Sequence, residues 1–135
     1  MIGKLRRRGD RGSFSLELAL LAPVIMALLW MMISAGRVVQ STSRVEGAAR
    51  DGARAASINH AGEPVAAANE AVANSLSNNG VTCTNGAQVD VTGDFQPGGL
   101  VTVKVSCDVA VLFGSGHVRV TRSGVSVLDT FRGVN

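Results

Sequence analysis

Residues 18–36 form an unbroken apolar run, from Leu18 to Gly36, with Glu17 at one border, Arg37 at the other and no charge between. As a helix at ~1.5 Å per residue it extends roughly 28 Å, close to the ~30 Å hydrocarbon thickness of a bilayer. Pro23 lies inside it; lacking an N–H, it is expected to kink such a helix rather than end it. In a chain of 135 residues, a membrane segment near the start leaves room for one small domain.

The charge is arranged to match. Lys4, Arg6, Arg7, Arg8 and Arg11 precede the run, against Asp10 alone. The net charge of +3 is thus owed to this leader, and the remainder is slightly acidic. A basic cluster on one side of a span predicts an N-terminus in the cytoplasm and the bulk of the chain outside. The same distribution argues against nucleic-acid binding, as does the lack of interleaved aromatics on which bases could stack.

Beyond Arg37 the pattern stays helical. Val38, Val39, Val45, Ala48, Ala49, Ala53 and Ala56 recur near the 3.6 period, with Arg44, Glu46, Arg50, Asp51 and Arg54 largely on other faces. No stop signal intervenes, so the membrane helix is expected to continue to about Ser57. Gly47 and Gly52 each cost about 1 kcal/mol in a helix interior relative to alanine, and small residues permit close helix approach. The Asn59-His60-Ala61-Gly62 stretch breaks the pattern. Glu63-Pro64 then opens a second helix, which ends at Asn78-Asn79-Gly80.

From Val81 the period becomes two. Val89 and Val91 alternate with polar residues; Val101, Val103, Val105, Cys107, Val109 and Val111 form a long series; Val118 with Val120 and Val125 with Val127 repeat it. Turns are expected at Asn85-Gly86, Gln96-Pro97-Gly98-Gly99 and Gly114-Ser115-Gly116. Three or four antiparallel strands follow, one valine-rich face packed on the helices and the other solvated. The fold class is α+β.

Cys83 and Cys107 both fall on the outer side of that topology. An even count in an oxidising compartment favours a disulfide, which would tie residues 81–84 onto the sheet. Closing a loop of about 24 residues is worth on the order of 3 kcal/mol; the alternative is two buried thiols. Without histidine partners the pair does not read as a zinc site. His60 and His117 are isolated, and Asp90 and Asp94 beside Gly93 present too few oxygens for calcium. No nucleophile–base–acid arrangement or phosphate loop is present, so neither an enzyme, a cofactor nor a metal is expected.

The leader ends in Gly12-Ser13-Phe14-Ser15-Leu16-Glu17 before the apolar helix. This pattern resembles the prepilin signal of type IV pilins, pseudopilins and the tight-adherence (Tad/Flp) pilus system. Residues 46–57 (EGAARDGARAAS) are similar to the segment that follows the anchor in TadE-like proteins. The ending Val127-Leu128-Asp129-Thr130-Phe131-Arg132 resembles the Asp-x-aromatic-Arg terminus common in actinobacterial members, with Phe131 where tyrosine is frequent. The resemblance spans the chain, strongly over residues 12–57 and by architecture beyond.

The resemblance implies cleavage by a prepilin peptidase between Gly12 and Ser13, leaving Glu17 as the fifth residue of the mature subunit. There it would face a neighbour's new α-amino group. It implies a pilin-like lollipop: a cleaved leader (1–12), a transmembrane helix (13–36), a helical stem (37–60) and a small external α+β domain (61–135). The implied role is that of a minor pilin or pseudopilin, because the major subunits of this system are much shorter after the membrane helix. Implied partners are the peptidase, other pilin subunits, the inner-membrane assembly platform and the bilayer. Arg50, Arg54, Asp129 and Arg132 are candidate interface residues, though for Arg50 and Arg54, with Asp51 nearby, a solvated helix face is the simpler reading and an interface the sharper one. Two other readings stay open: an uncleaved, membrane-anchored extracytoplasmic binding or scaffold domain, and a secreted adhesion domain cut near Ala35.

Overall fold

A computed structural model describes residues 11–59, 62–111 and 116–128, with side chains from Ser15 onward. Two helices, α1 (Arg11–Ile58) and α2 (Pro64–Asn78), precede three strands, β1 (Gln88–Gly93), β2 (Leu100–Ala110) and β3 (His117–Val127). The layout is α+β, with three strands among the described residues. The chain divides into two compact units between Ala35 and Gly36.

The described residues of the first unit are all helix. Pro23 does not end it: α1 is continuous on both sides of the ring. Tetrahedral hydroxyls within α1 are satisfied locally, Ser34 donating to the Trp30 carbonyl at 2.9 Å and Thr42 to that of Val38 at 2.9 Å. Such back-bonds hide a polar group inside the helix's own surface.

The second unit packs the end of α1 and all of α2 on one face of an antiparallel sheet of order β1-β2-β3. Val45, Ala48, Ala49, Ala53 and Ala56 of α1 are fully buried, at the helical spacing expected for an inward face. From α2 come Ala68, Val72 and Leu76, four residues apart. From β2 come Val101, Val103, Val105 and Cys107, every second residue. Residues grouped with the stem on sequence grounds therefore supply a large part of the core.

Two glycines set how close these layers come. A β-carbon at Gly52 would stand 2.6 Å from Val72 Cγ2 and 3.2 Å from Val103 Cγ1, so the bare backbone is what lets α1 meet α2 and β2. At Gly124, in β3, a β-carbon would overlap the Ala49 carbonyl and lie 2.6 Å from Arg50 N. Here helix and strand touch backbone to backbone. Gly47 is different, since a β-carbon there meets nothing within 4 Å.

The register of β3 departs from the expected pattern. The alternation alone places Val118 with Val120 and Val125 with Val127 on one apolar face, but both pairs lie in a single strand, one at even and the other at odd positions. A period of two cannot bury both. The strand turns Val120, Gly124 and then Leu128 inward, whereas Val125 and Val127 are exposed opposite Thr102 and Leu100. Val118 is also exposed at 40 %. Leu128, just past β3, is 1 % exposed and donates its N–H to the Gly99 carbonyl at 2.9 Å.

The turns at Asn85-Gly86 and at residues 96–99 form as expected, the latter closed by Gly99 N–H to Gln96 O at 2.8 Å. The Gly114-Ser115-Gly116 turn lies mostly outside the described residues; Val111 N–H to Gly116 O at 3.1 Å closes its base.

Candidate membrane helix and processing site

The first turn of α1 contains Gly12 and Ser13, and Glu17 follows in the second turn. At ~1.5 Å of rise per residue, Gly12 and Glu17 are about 7.5 Å apart along the axis. The Glu17 side chain is exposed. The first turn of α1 holds no acidic residue, and Glu17 is the first carboxylate within the helix itself, near the end that carries a partial positive charge.

The helix surface beyond Glu17 is apolar all round. Leu18, Leu21, Ile25, Leu28, Trp30 and Ile33 are each about half exposed, with comparable residues between them. A soluble helix would bury one stripe of such side chains; one apolar on every side needs an apolar surround. Among the described residues α1 alone is long and apolar enough to cross a membrane. One apolar helix near the N-terminus is compatible with a single-pass anchor.

The candidate interface residues are only partly brought together. Arg50 and Arg54 lie one turn apart on the outer surface of α1 and are exposed. Arg50 is paired with Glu46 one turn earlier, an i,i+4 contact worth about 0.3–0.5 kcal/mol. Asp51 accepts a 2.7 Å hydrogen bond from Ser75 Oγ of α2, tying the helices together at their surface. Asp129 and Arg132, together with His60, the basic leader through Asp10 and Phe131, lie outside the described residues.

Cys83 and Cys107 are joined by a disulfide, with Cα atoms 5.2 Å apart. The bridge fastens the α2–β1 connection to the central strand. Thr84 N–H reinforces it with a 2.9 Å bond to the Asp108 carbonyl. On the opposite face of β2 the Asp108 carboxylate accepts from Arg119 at 2.9 and 3.0 Å and from Asn85 Nδ2 at 3.4 Å. The Arg119 guanidinium holds Asp108 below the usual carboxylate range, and the carboxylate raises Arg119 in turn. Sequence patterning missed this clamp, because Asp108 and Arg119 become neighbours only through the β2–β3 register.

Among the described residues no three metal-ligating side chains converge. Asp94 instead accepts the Gln96 N–H at 3.1 Å inside its turn. A shallow polar depression lies beside Asp90, Thr102, Lys104 and Thr121, on the solvated sheet face.

Residues 12–54 match the family model described as TadE-like protein. The matched stretch opens on Gly12, runs the apolar length of α1 and closes on Arg54, within the part of the helix that enters the core. No curated protein and no solved structure matches the chain.

Proposed function

We propose that this chain, TadE-like over residues 12–54, is a minor pilin or pseudopilin of a Tad-type pilus, acting in assembly, initiation or tip formation. The observation that carries the reading is that the family match begins at Gly12 and continues through an apolar helix into the segment bearing a folded unit. The chain thus carries a folded unit in addition to its apolar helix. A minor role suits a chain that carries so much mass beyond the helix.

In this reading the basic leader lies in the cytoplasm and holds the helix in the inner membrane, with the disulfide-bonded unit outside. A prepilin peptidase cuts between Gly12 and Ser13, which sheds the leader's positive charge and creates a new α-amino group at Ser13. Assembly then draws the helix from lipid into a bundle of subunit helices. A carboxylate buried there without a cation would cost several kcal/mol. Glu17, fifth in the mature chain, gains that cation from a neighbour's Ser13 amine. Arg50 and Arg54 face adjoining subunits or the assembly platform.

The test is expression with and without a prepilin peptidase in cells bearing the pilus machinery. Glu17→Ala is expected to mature normally yet fail to recover piliation in a strain lacking this chain. Full piliation by Glu17→Ala would remove the carboxylate from the mechanism. A chain that keeps its leader while supporting pili would favour an uncleaved, anchored scaffold domain.

A further inference from the structure

The two sulfurs of the disulfide are not equally accessible. Cys107 is 1 % exposed, on the inner face of β2 beneath the helices. Cys83 is half-buried, in a turn closed by Gly86 N–H to its carbonyl at 3.2 Å. It also lines a shallow groove of about 360 Å³ with Ala73, Leu76, Gly80, Thr82 and Ala87, between the end of α2 and the start of β1.

Thiol–disulfide exchange requires a thiolate to reach one sulfur and displace the other, so access selects the sulfur attacked. The core covers Cys107; the groove leads to Cys83. We propose that Cys83 is the exchange site of this bridge, and that the groove receives a folded dithiol–disulfide oxidoreductase.

The step balances in either direction. For reduction, the enzyme's thiolate attacks Cys83 Sγ, the Cys83–Cys107 bond breaks, and Cys107 leaves as a thiolate that takes a proton. The enzyme's second thiol, deprotonated, then attacks the mixed disulfide and releases Cys83, so two electrons pass from the dithiol to the bridge. Oxidation of the nascent chain runs the same path backwards, with Cys107 attacking a mixed disulfide at Cys83. Two contacts besides the bridge itself join the turn to β2, the Thr84–Asp108 backbone bond and the Asn85–Asp108 contact.

A small occupant such as glutathione needs only to reach the Cys83 sulfur, whereas a protein needs the groove as well. The walls favour the protein: Ala73, Gly80, Gly86 and Ala87 are small enough for another backbone to approach closely, and half-buried Val81 supplies apolar surface.

The oxidised full chain in detergent micelles is mixed with a Cys-x-x-Cys oxidoreductase whose second cysteine is serine, and freed thiols are alkylated at once. Peptide mass mapping is expected to find the enzyme on Cys83 and the alkyl group on Cys107, by at least tenfold over the reverse. An even split or a preference for Cys107 overturns the assignment. Ala87→Trp, at an exposed groove position outside the strands, is expected to slow the enzyme's exchange at least tenfold at unchanged melting temperature. A rate within twofold of the unaltered chain overturns the docking groove.

Discussion

Gly124→Ala tests the closest contact in the core. The added β-carbon would overlap the Ala49 carbonyl and lie 2.6 Å from Arg50 N, whereas such atoms rest at about 3.5 Å. Both obstacles are backbone, so no rotamer change relieves them; α1 must lift from the sheet by about 1 Å. A gap of that size forfeits up to half of the dispersion energy of each contact it opens. The affected side chains are among the best buried in the molecule, Val45, Ala49 and Ala53 on the helix and Val103 and Val105 on the sheet. Overpacking typically costs 1–3 kcal/mol, and an immovable partner places this case near about 3. At roughly 4–8 °C per kcal/mol for a domain of this size, the melting transition should fall by about 12 °C or more. Scanning calorimetry of the full chain in micelles reads it directly. A transition within about 2 °C of the unaltered protein would refute the backbone contact.

Helix glycines five residues apart should behave oppositely. Gly47→Ala, open on all sides, should gain up to about 1 kcal/mol from helix propensity, while at Gly52 that gain is outweighed by collision with the stiff Val72 side chain; urea denaturation of both variants decides. Cys83→Ala with Cys107→Ala should lower stability by about 3 kcal/mol in the same assay, and an unchanged midpoint would contradict a stabilising bridge. Because Asp108 is held low in the folded chain, its contribution is full above its unfolded pKa near about 4 and is lost as pH falls through the lower folded value. Asp108→Asn should therefore flatten the acid limb of a melting-temperature profile below about pH 4 and leave no pH-dependent difference at neutrality; parallel acid limbs would contradict this.

What the sequence made legible follows from which forces are local. The ends of both helices could be read because Asn59, Pro64 and Gly80 act on their own neighbourhood, and β2 because its valines keep one parity. The exposure of Val125 and Val127 was not legible, since the strand's parity is set by Gly124 beneath α1, a contact between residues 75 positions apart in the chain. Leu128 was hidden for the same reason: it sits in a C-terminal motif yet closes the core through Gly99. At the candidate site, the apolar run announced itself because charge-free length is a local property. The Asp108–Arg119 clamp and the unequal exposure of the two cysteines required the sheet register and the packed helices.

The N-terminus of the chain isolated from cells that contain a prepilin peptidase tests the central proposal most directly. Intact-mass measurement with N-terminal sequencing should find a chain beginning at Ser13, and Gly12→Ala should retain the leader. A chain that still begins at Met1 beside an active peptidase would contradict processing as a pilin subunit.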